Sequence, residues 1–146
     1  MRYFEDFAVG QKFASGRLTV STEAITAFAA EYDPQPFHLD EAAAKDTLFG
    51  GLAASGWHTA ALTMRLIVGG AFRPAGGIAG FGGELVWLQP VRPGDELHAE
   101  VEVLETRISK SRPGQGLVKV RVSTFNQHDE PVQTFTPTLL VARRPI

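Results

Sequence analysis

The sequence predicts an α+β protein in which an antiparallel sheet curls around one buried helix. Three observations carry that expectation. Between Ala54 and Phe72, apolar residues fall on every side of a helical projection, among them Trp57, Ala60, Ala61, Leu62, Met64, Leu66, Ile67 and Val68. A helix without a polar face belongs in an interior. From Ile78 onward the period becomes alternating, as in Leu97, Ala99, Val101 and Val103, then Val118, Val120 and Val122, which marks strands with one buried face. Helices precede a run of consecutive strands, an order that suits an antiparallel sheet packed on a helix. Such a sheet leaves its second face to be covered, and a two-fold partner could supply the cover.

The elements follow in order. Gly10–Val20 alternates loosely through Phe13, Leu18 and Val20 and reads as a strand or extended lead-in. Ser21 is placed to cap a helix, with Glu23 in the first turn where negative charge suits the helix dipole. Ile25, Phe28, Ala29 and Tyr32 then share one helical face. That helix cannot pass Asp33, because Pro34 disfavours helical geometry in the residue before it. Pro36 repeats the restriction, so Asp33–His38 reads as a stiffened turn, after which Asp40 caps a short helix over Glu41–Lys45. Gly50 and Gly51 mark a loop, Gly56 opens the long helix, and Gly69-Gly70 ends it. Ile78–Leu88 is a strand with a glycine-rich, bulge-prone start. Pro93-Gly94 turns the chain, and the polar segment Ser109–Gly116 links the next two strands. Val132–Ala142 is the last strand, and its Pro137 calls for an edge or a bulge.

Composition narrows the function. A chain of 146 residues without repeats or linkers is read as one domain spanning 1–146. Its net charge of -2 gives no reason to expect nucleic acid or an acidic membrane as a partner. The sequence has no cysteine, which excludes disulfides, thiolate zinc sites and cysteine nucleophiles. Two acids in MRYFEDF and the lack of an apolar run there speak against a secretion signal, so the cytoplasm is the expected compartment.

The segment Asp33-Pro34-Gln35-Pro36-Phe37-His38 is where chemistry is expected. It sets a carboxylate and an imidazole on a turn that two prolines stiffen, and orientation is a large part of catalysis. Such a pair can handle one water, one group taking its proton while the other orients it or donates. The residues alone leave a plainer reading open, with Asp33 capping a turn and His38 merely preceding a helix. Gly56, at the start of the long helix, brings unpaired backbone N–H groups that suit negative charge. Among the other histidines, His58 reads as a hydrogen-bonded core residue, and His98 and His128 as solvated. The basic run Lys110–Arg112 reads as solvated surface rather than an anion site. No histidine pair has metal-ligand spacing. No glycine cluster forms a nucleotide-binding turn, and Ser55-Gly56 is not a nucleophile elbow, so neither metal, nucleotide cofactor nor serine triad is expected.

The run Asp33–His38 resembles the D-x-N-P-hydrophobic-H motif of MaoC-like, (R)-specific enoyl-CoA hydratases. Ala54-Ser55-Gly56-Trp57 resembles that family's entry to its central helix, and WLQPVRPGD, Trp87–Asp95, its recurring strand and turn. The resemblance implies the hotdog fold and reversible syn addition of water to a trans-2-enoyl thioester, carried by coenzyme A or acyl carrier protein. It assigns Asp33 and His38 to hold and activate the water, and the Gly56 N–H to bind the thioester oxygen as negative charge develops there. Gln35, Phe37, Ser55 and Trp57 become the expected substrate contacts, with Ala53, Ala54 and Ala60 leaving room while Phe37, Trp57 and Phe72 limit it. The resemblance also implies a homodimer or a dimer of dimers. Two departures stand out: Gln35 replaces the usual Asn, and Tyr32 stands where many members have Gly. Two alternatives share the fold. A hotdog thioesterase would want an acid on or beside the central helix, and Ser55–Arg65 contains none. A non-catalytic acyl-thioester-binding subunit would have no need of the Asp33/His38 pair.

Overall fold

In a computed structural model, which describes residues 1–146, five strands form one antiparallel sheet. They are Lys12–Thr19 (β1), Gly80–Trp87 (β2), Glu96–Ile108 (β3), Gln115–Phe125 (β4) and Pro131–Ala142 (β5), in the spatial order β1-β3-β4-β5-β2. Four helices accompany them: Thr22–Tyr32 (α1), Pro36–Leu39 (α2), Glu41–Ala44 (α3) and Gly56–Val68 (α4). A 3-10 turn at Phe4–Asp6, which the sequence reading did not anticipate, lays Phe4 across Gly116, where a Cβ would stand 2.0 Å from the ring.

The alternating stretches face inward as their pattern dictates. Leu97, Ala99, Val101 and Val103 of β3 and Val118, Val120 and Val122 of β4 are all buried, and α4 packs against β1 and β3. Phe7, Phe13 and Phe72 close one end of this core, with ring centroids 5.4 to 5.9 Å apart. Phe72 is therefore a core residue, not the limit of a binding pocket. The opposite sheet face carries ion pairs: Lys12 pairs with Glu100, Arg17 with Glu96, and Arg121 with Glu102.

The central helix is shorter than its apolar run, thirteen residues closed by Gly69, and it is not buried all round. His58, Thr59, Thr63, Leu66 and Ile67 face the sheet. Trp57, Ala61, Met64 and Val68, a stripe at helical spacing, face outward, with Trp57 60% and Val68 58% exposed. Phe81 of edge strand β2 and Leu88 just after it are exposed as well. Uncovered apolar area thus lies on the helix and at the sheet edge.

Local signals held with two adjustments. Ser21 caps α1 through Ala24 N–H, and Asp40 caps α3 through Ala42 N–H. The stiffened turn after Asp33 is only half a turn: Pro36 occupies the first position of α2, where its fixed φ suits a helix and its missing N–H costs nothing. Pro137 lies in β5, an interior strand, opposite Gly83 where the register with β2 slips between Gly80 and Gly83. The missing donor shows on the other side, where pairing with β4 lapses between Thr138 and Phe135. A Cβ on Gly83 would stand 2.3 Å from the Thr136 carbonyl oxygen, so this close approach requires glycine.

Leu97 is fully buried, and truncating it to alanine should cost about 2–5 kcal/mol. Arg121→Gln, on the polar face, should change stability by less than about 1 kcal/mol. Urea unfolding of the two variants reads the contrast directly.

Candidate active site

Asp33 ends α1. Its N–H still bonds the Ala29 carbonyl, but its backbone leaves the helical region because Pro34 follows. Two residues on, Pro36 starts α2, and that single turn carries His38 inward until it is 4% exposed. The imidazole is fixed from behind: Nδ1 lies 2.6 Å from the carbonyl oxygen of Ala53. A carbonyl only accepts, so Nδ1 carries a proton, and in the neutral form of the ring the lone pair is then at Nε2. Nε2 stands 3.4 Å from Asp33 Oδ2. Phe37 and Phe49 pack on the ring's sides, with centroids 4.6 and 5.7 Å away.

Asp33 is the junction of the site. Ser55 Oγ donates to its Oδ2 at 2.7 Å, and Gln35 Nε2 to its Oδ1 at 2.5 Å. Burial pushes the carboxyl up, but the hydrogen bonds from Gln35 and Ser55 and the nearby His38 outweigh it. The net effect holds Asp33 below its usual value and ionised at neutral pH. Its contribution to stability is accordingly present above the ordinary carboxylate range and lost as pH falls through the lowered folded value. Ser55, expected among the substrate contacts, is instead wholly buried behind the carboxylate. Having given its hydroxyl to Asp33, it makes no side-chain cap for α4.

Gly56 is the first residue of α4, and its N–H has no acceptor within the chain. An unpaired amide at the positive end of a helix favours an anionic oxygen. Any Cβ at this position would meet Trp87, 2.4 Å from its Cε2, so glycine is required sterically as well. A cavity of about 580 Å³ opens here, with Asp33, Gln35, Phe37, His38, Gly56 and Trp57 among its lining residues. The structure thus gathers every expected site residue except Ser55 around one cavity, and Ala54 joins them while Ala53 holds His38 from behind.

Phe49, Thr59, Trp87 and Val91 also line the cavity and were not singled out from the sequence. Neither was Arg92, whose guanidinium donates to the carbonyls of Phe49, of Gly51 at 2.9 Å and of Leu52 at 3.2 Å. It pins the loop that delivers the Ala53 carbonyl to His38. The signal available was an arginine beside a Pro-Gly turn, which resembles any surface charge. His58 is buried as expected, but it stacks on Phe28 at 4.7 Å rather than being fully hydrogen-bonded, and its Nδ1 has no partner. Burial lowers its pKa and keeps it neutral. His98, expected to be solvated, pairs with Asp129 at 3.0 Å and lies against Phe125; His128 is exposed.

Residues 6–126 match the MaoC-like domain family. The chain is 55% identical to a MaoC-like dehydratase from Rhodospirillum rubrum, whose crystal structure superposes with a TM-score of 0.97 over 100% of both chains. It is 35% identical to protein YdeM of Bacillus subtilis (strain 168) over 95% of this chain and 98% of that one. The unliganded R-hydratase PhaJ1 from Pseudomonas aeruginosa matches with a TM-score of 0.78 at 29% identity, covering 97% of this chain and 86% of that one.

Ser55→Ala removes a donor that stabilises only the charged carboxylate, so the Asp33 pKa should rise toward its ordinary value. Titrating the Asp33 carboxyl carbon by NMR in the wild type and the variant measures the shift; an unchanged value would mean that the Ser55 hydrogen bond is not made in solution.

Proposed function

Since the chain belongs to the MaoC-like domain family and has the hotdog fold of its structural neighbours, we propose that it hydrates a trans-2-enoyl thioester reversibly to the (R)-3-hydroxyacyl thioester. Coenzyme A is the simplest carrier. The observation that carries this reading is the pairing of a fixed His38 tautomer with an ionised Asp33 around the cavity that Gly56 also lines.

Two acceptors, His38 Nε2 and Asp33 Oδ2, can bind the two hydrogens of one water and leave its oxygen lone pair facing the substrate. As that oxygen bonds to C3, the water's O–H bond to His38 breaks and the C2–C3 π electrons move toward the thioester carbonyl. The oxygen charge that develops is met by the Gly56 N–H at the helix N-terminus, the role of an oxyanion donor. The imidazolium, beside Asp33, then returns its proton to C2 on the same face. Water is consumed, and both residues end as they began. Gln35 supports this arrangement by donating to Asp33, a task within reach of its longer amide.

A thioesterase reading draws on one finding. Through Ser55, Asp33 of α1 does lie beside the start of α4, although the helix itself contains no acid. Incubation with crotonyl-CoA separates the activities: hydration removes the enoyl absorbance, and hydrolysis releases a thiol. A non-catalytic subunit does neither.

Asp33→Asn and His38→Ala should each lower hydration by roughly 10²–10⁴-fold. Because both act on one water, the double variant should be scarcely worse than the poorer single one. Unchanged turnover with lowered melting temperature would return the pair to a structural role. Gly56→Pro removes the proposed donor but also collides with Trp87, so the aspartate and histidine variants give the cleaner test.

The exposed stripe of α4 and the apolar edge at β2 support a homodimer in which a second copy covers them. Light scattering should give twice the 15.8 kDa chain mass. Met64→Glu on that stripe should shift the protein toward monomer; a wild-type monomer with full activity would refute the assembly.

A further inference from the structure

A line of polar side chains crosses the otherwise apolar interior and ends at the active-site wall. Thr124 of β4, Gln133 of β5 and Trp87 of β2 are directly paired neighbours across three strands. Thr63, on the inner face of α4, lies against them. Gln133 is 1% exposed, Thr124 fully buried and Thr63 3% exposed. Each is costly to bury unless hydrogen-bonded.

Their roles can be assigned from chemistry alone. An indole nitrogen only donates, so the Gln133 atom 3.1 Å from Trp87 Nε1 is the amide oxygen. The amide nitrogen is thereby turned to Thr63 Oγ1, 3.2 Å away. Thr63 passes its own proton to the Thr59 carbonyl at 2.8 Å, and its lone pairs then accept from Gln133 and from Thr124, whose hydroxyl is 2.7 Å away. Thr63 is thus fully satisfied, and the glutamine has no freedom to flip without breaking two bonds. Its carbonyl has one task, to hold the Trp87 N–H.

Trp87 is the residue on which Gly56 rests. Its six-membered ring occupies the space where a Gly56 side chain would be, and the edge of Trp57 meets it with centroids 5.1 Å apart. It lines the cavity beside Gly56. Trp87 is 44% exposed within the single chain, and the N–H to Gln133 is its directional restraint.

We propose that Gln133 is a positioning residue. Through Trp87 it fixes the wall against the first turn of α4, and so the direction from which a thioester oxygen reaches the Gly56 amide. The inference rests on the hydratase reading for its kinetic consequence, but not for its structural one. A shift in this wall should act where the charge develops, lowering kcat more than it raises KM.

The test uses Gln133→Leu, which keeps side-chain bulk and removes both amide contacts, and Trp87→Phe, which keeps a ring and removes the N–H. Gln133→Leu should lower kcat by roughly 10–100-fold, the cost of a small misplacement, with KM changed far less. In the Trp87→Phe background it should cost almost nothing further. Trp87 emission, read alone in a Trp57→Phe background, should change on Gln133→Leu. If Gln133→Leu does not fold, Thr63→Val, which frees the glutamine amide while keeping shape, should change the same emission. Unchanged emission overturns the inference whatever the enzyme's activity. So does a kcat loss that is equally large with and without the indole N–H, because that would be a general loosening of the core. Failure of the wild type to hydrate any enoyl-CoA overturns the reaction reading alone, since the emission experiment still tests the Gln133–Trp87 restraint.

Discussion

The hydrogen bond from Ser55 to Asp33 joins the two parts of the chain that the active site requires. Asp33 belongs to the end of α1 and Ser55 to the threshold of α4, so one short contact fixes the relation between the Asp33–His38 pair and the helix N-terminus. The same contact bears on the carboxylate's pKa. Burial raises it, and the donors from Gln35 and Ser55, with His38, more than offset that. Because Ser55 gives its hydroxyl to Asp33, it makes no side-chain cap for the helix. The chain instead keeps the amide end of α4 open, which is what a site for developing negative charge needs.

Around that junction the supports are backbone groups more than side chains. His38 takes its tautomer from the Ala53 carbonyl, and that carbonyl is held in place by a loop pinned at three of its own carbonyls by Arg92. The arginine gives its guanidinium donors to neutral carbonyls, so a positive charge stands behind the loop that holds His38. Trp87 and Gln133 perform the equivalent task beside Gly56, with neutral groups only. The two parts of the cavity lining are therefore fixed by different means, one charged and one neutral.

Much of the fold was legible because its signals are local. Alternating valines require a strand whatever lies beyond, and Ser21 and Asp40 cap helices by contacts three or two residues away. The Asp33/His38 spacing was legible for the same reason, since two prolines act on adjacent backbone. What escaped depends on pairings distant in sequence. Apolar content around α4 could not distinguish a buried helix from one with a face reserved for contact, because Trp57, Met64 and Val68 look alike in either case. Ser55 was read as a ligand contact because its partner lies twenty-two residues away. Gln133 was passed over because a lone polar residue in an alternating strand is ordinary until Thr63 and Trp87 are brought to it. Pro137 showed that a local rule can be right about the need and incomplete about the solution: the bulge is real, but the strand is interior.

The sheet order has a bearing on how the molecule comes into being. β1 is made first yet pairs with β3, near the far end of the chain, and β2 waits for β5, the last strand of all. During synthesis α4 emerges after β1 but before β3, the other strand it packs on. Closure of such distant pairings is slow relative to helix formation, and the nascent chain passes through a period in which its apolar helix lacks one of its partners. A chain shortened at β5 would lose the sheet before it lost the Asp33–His38 motif, whose hydrogen-bond partners are Gln35, Ala53 and Ser55.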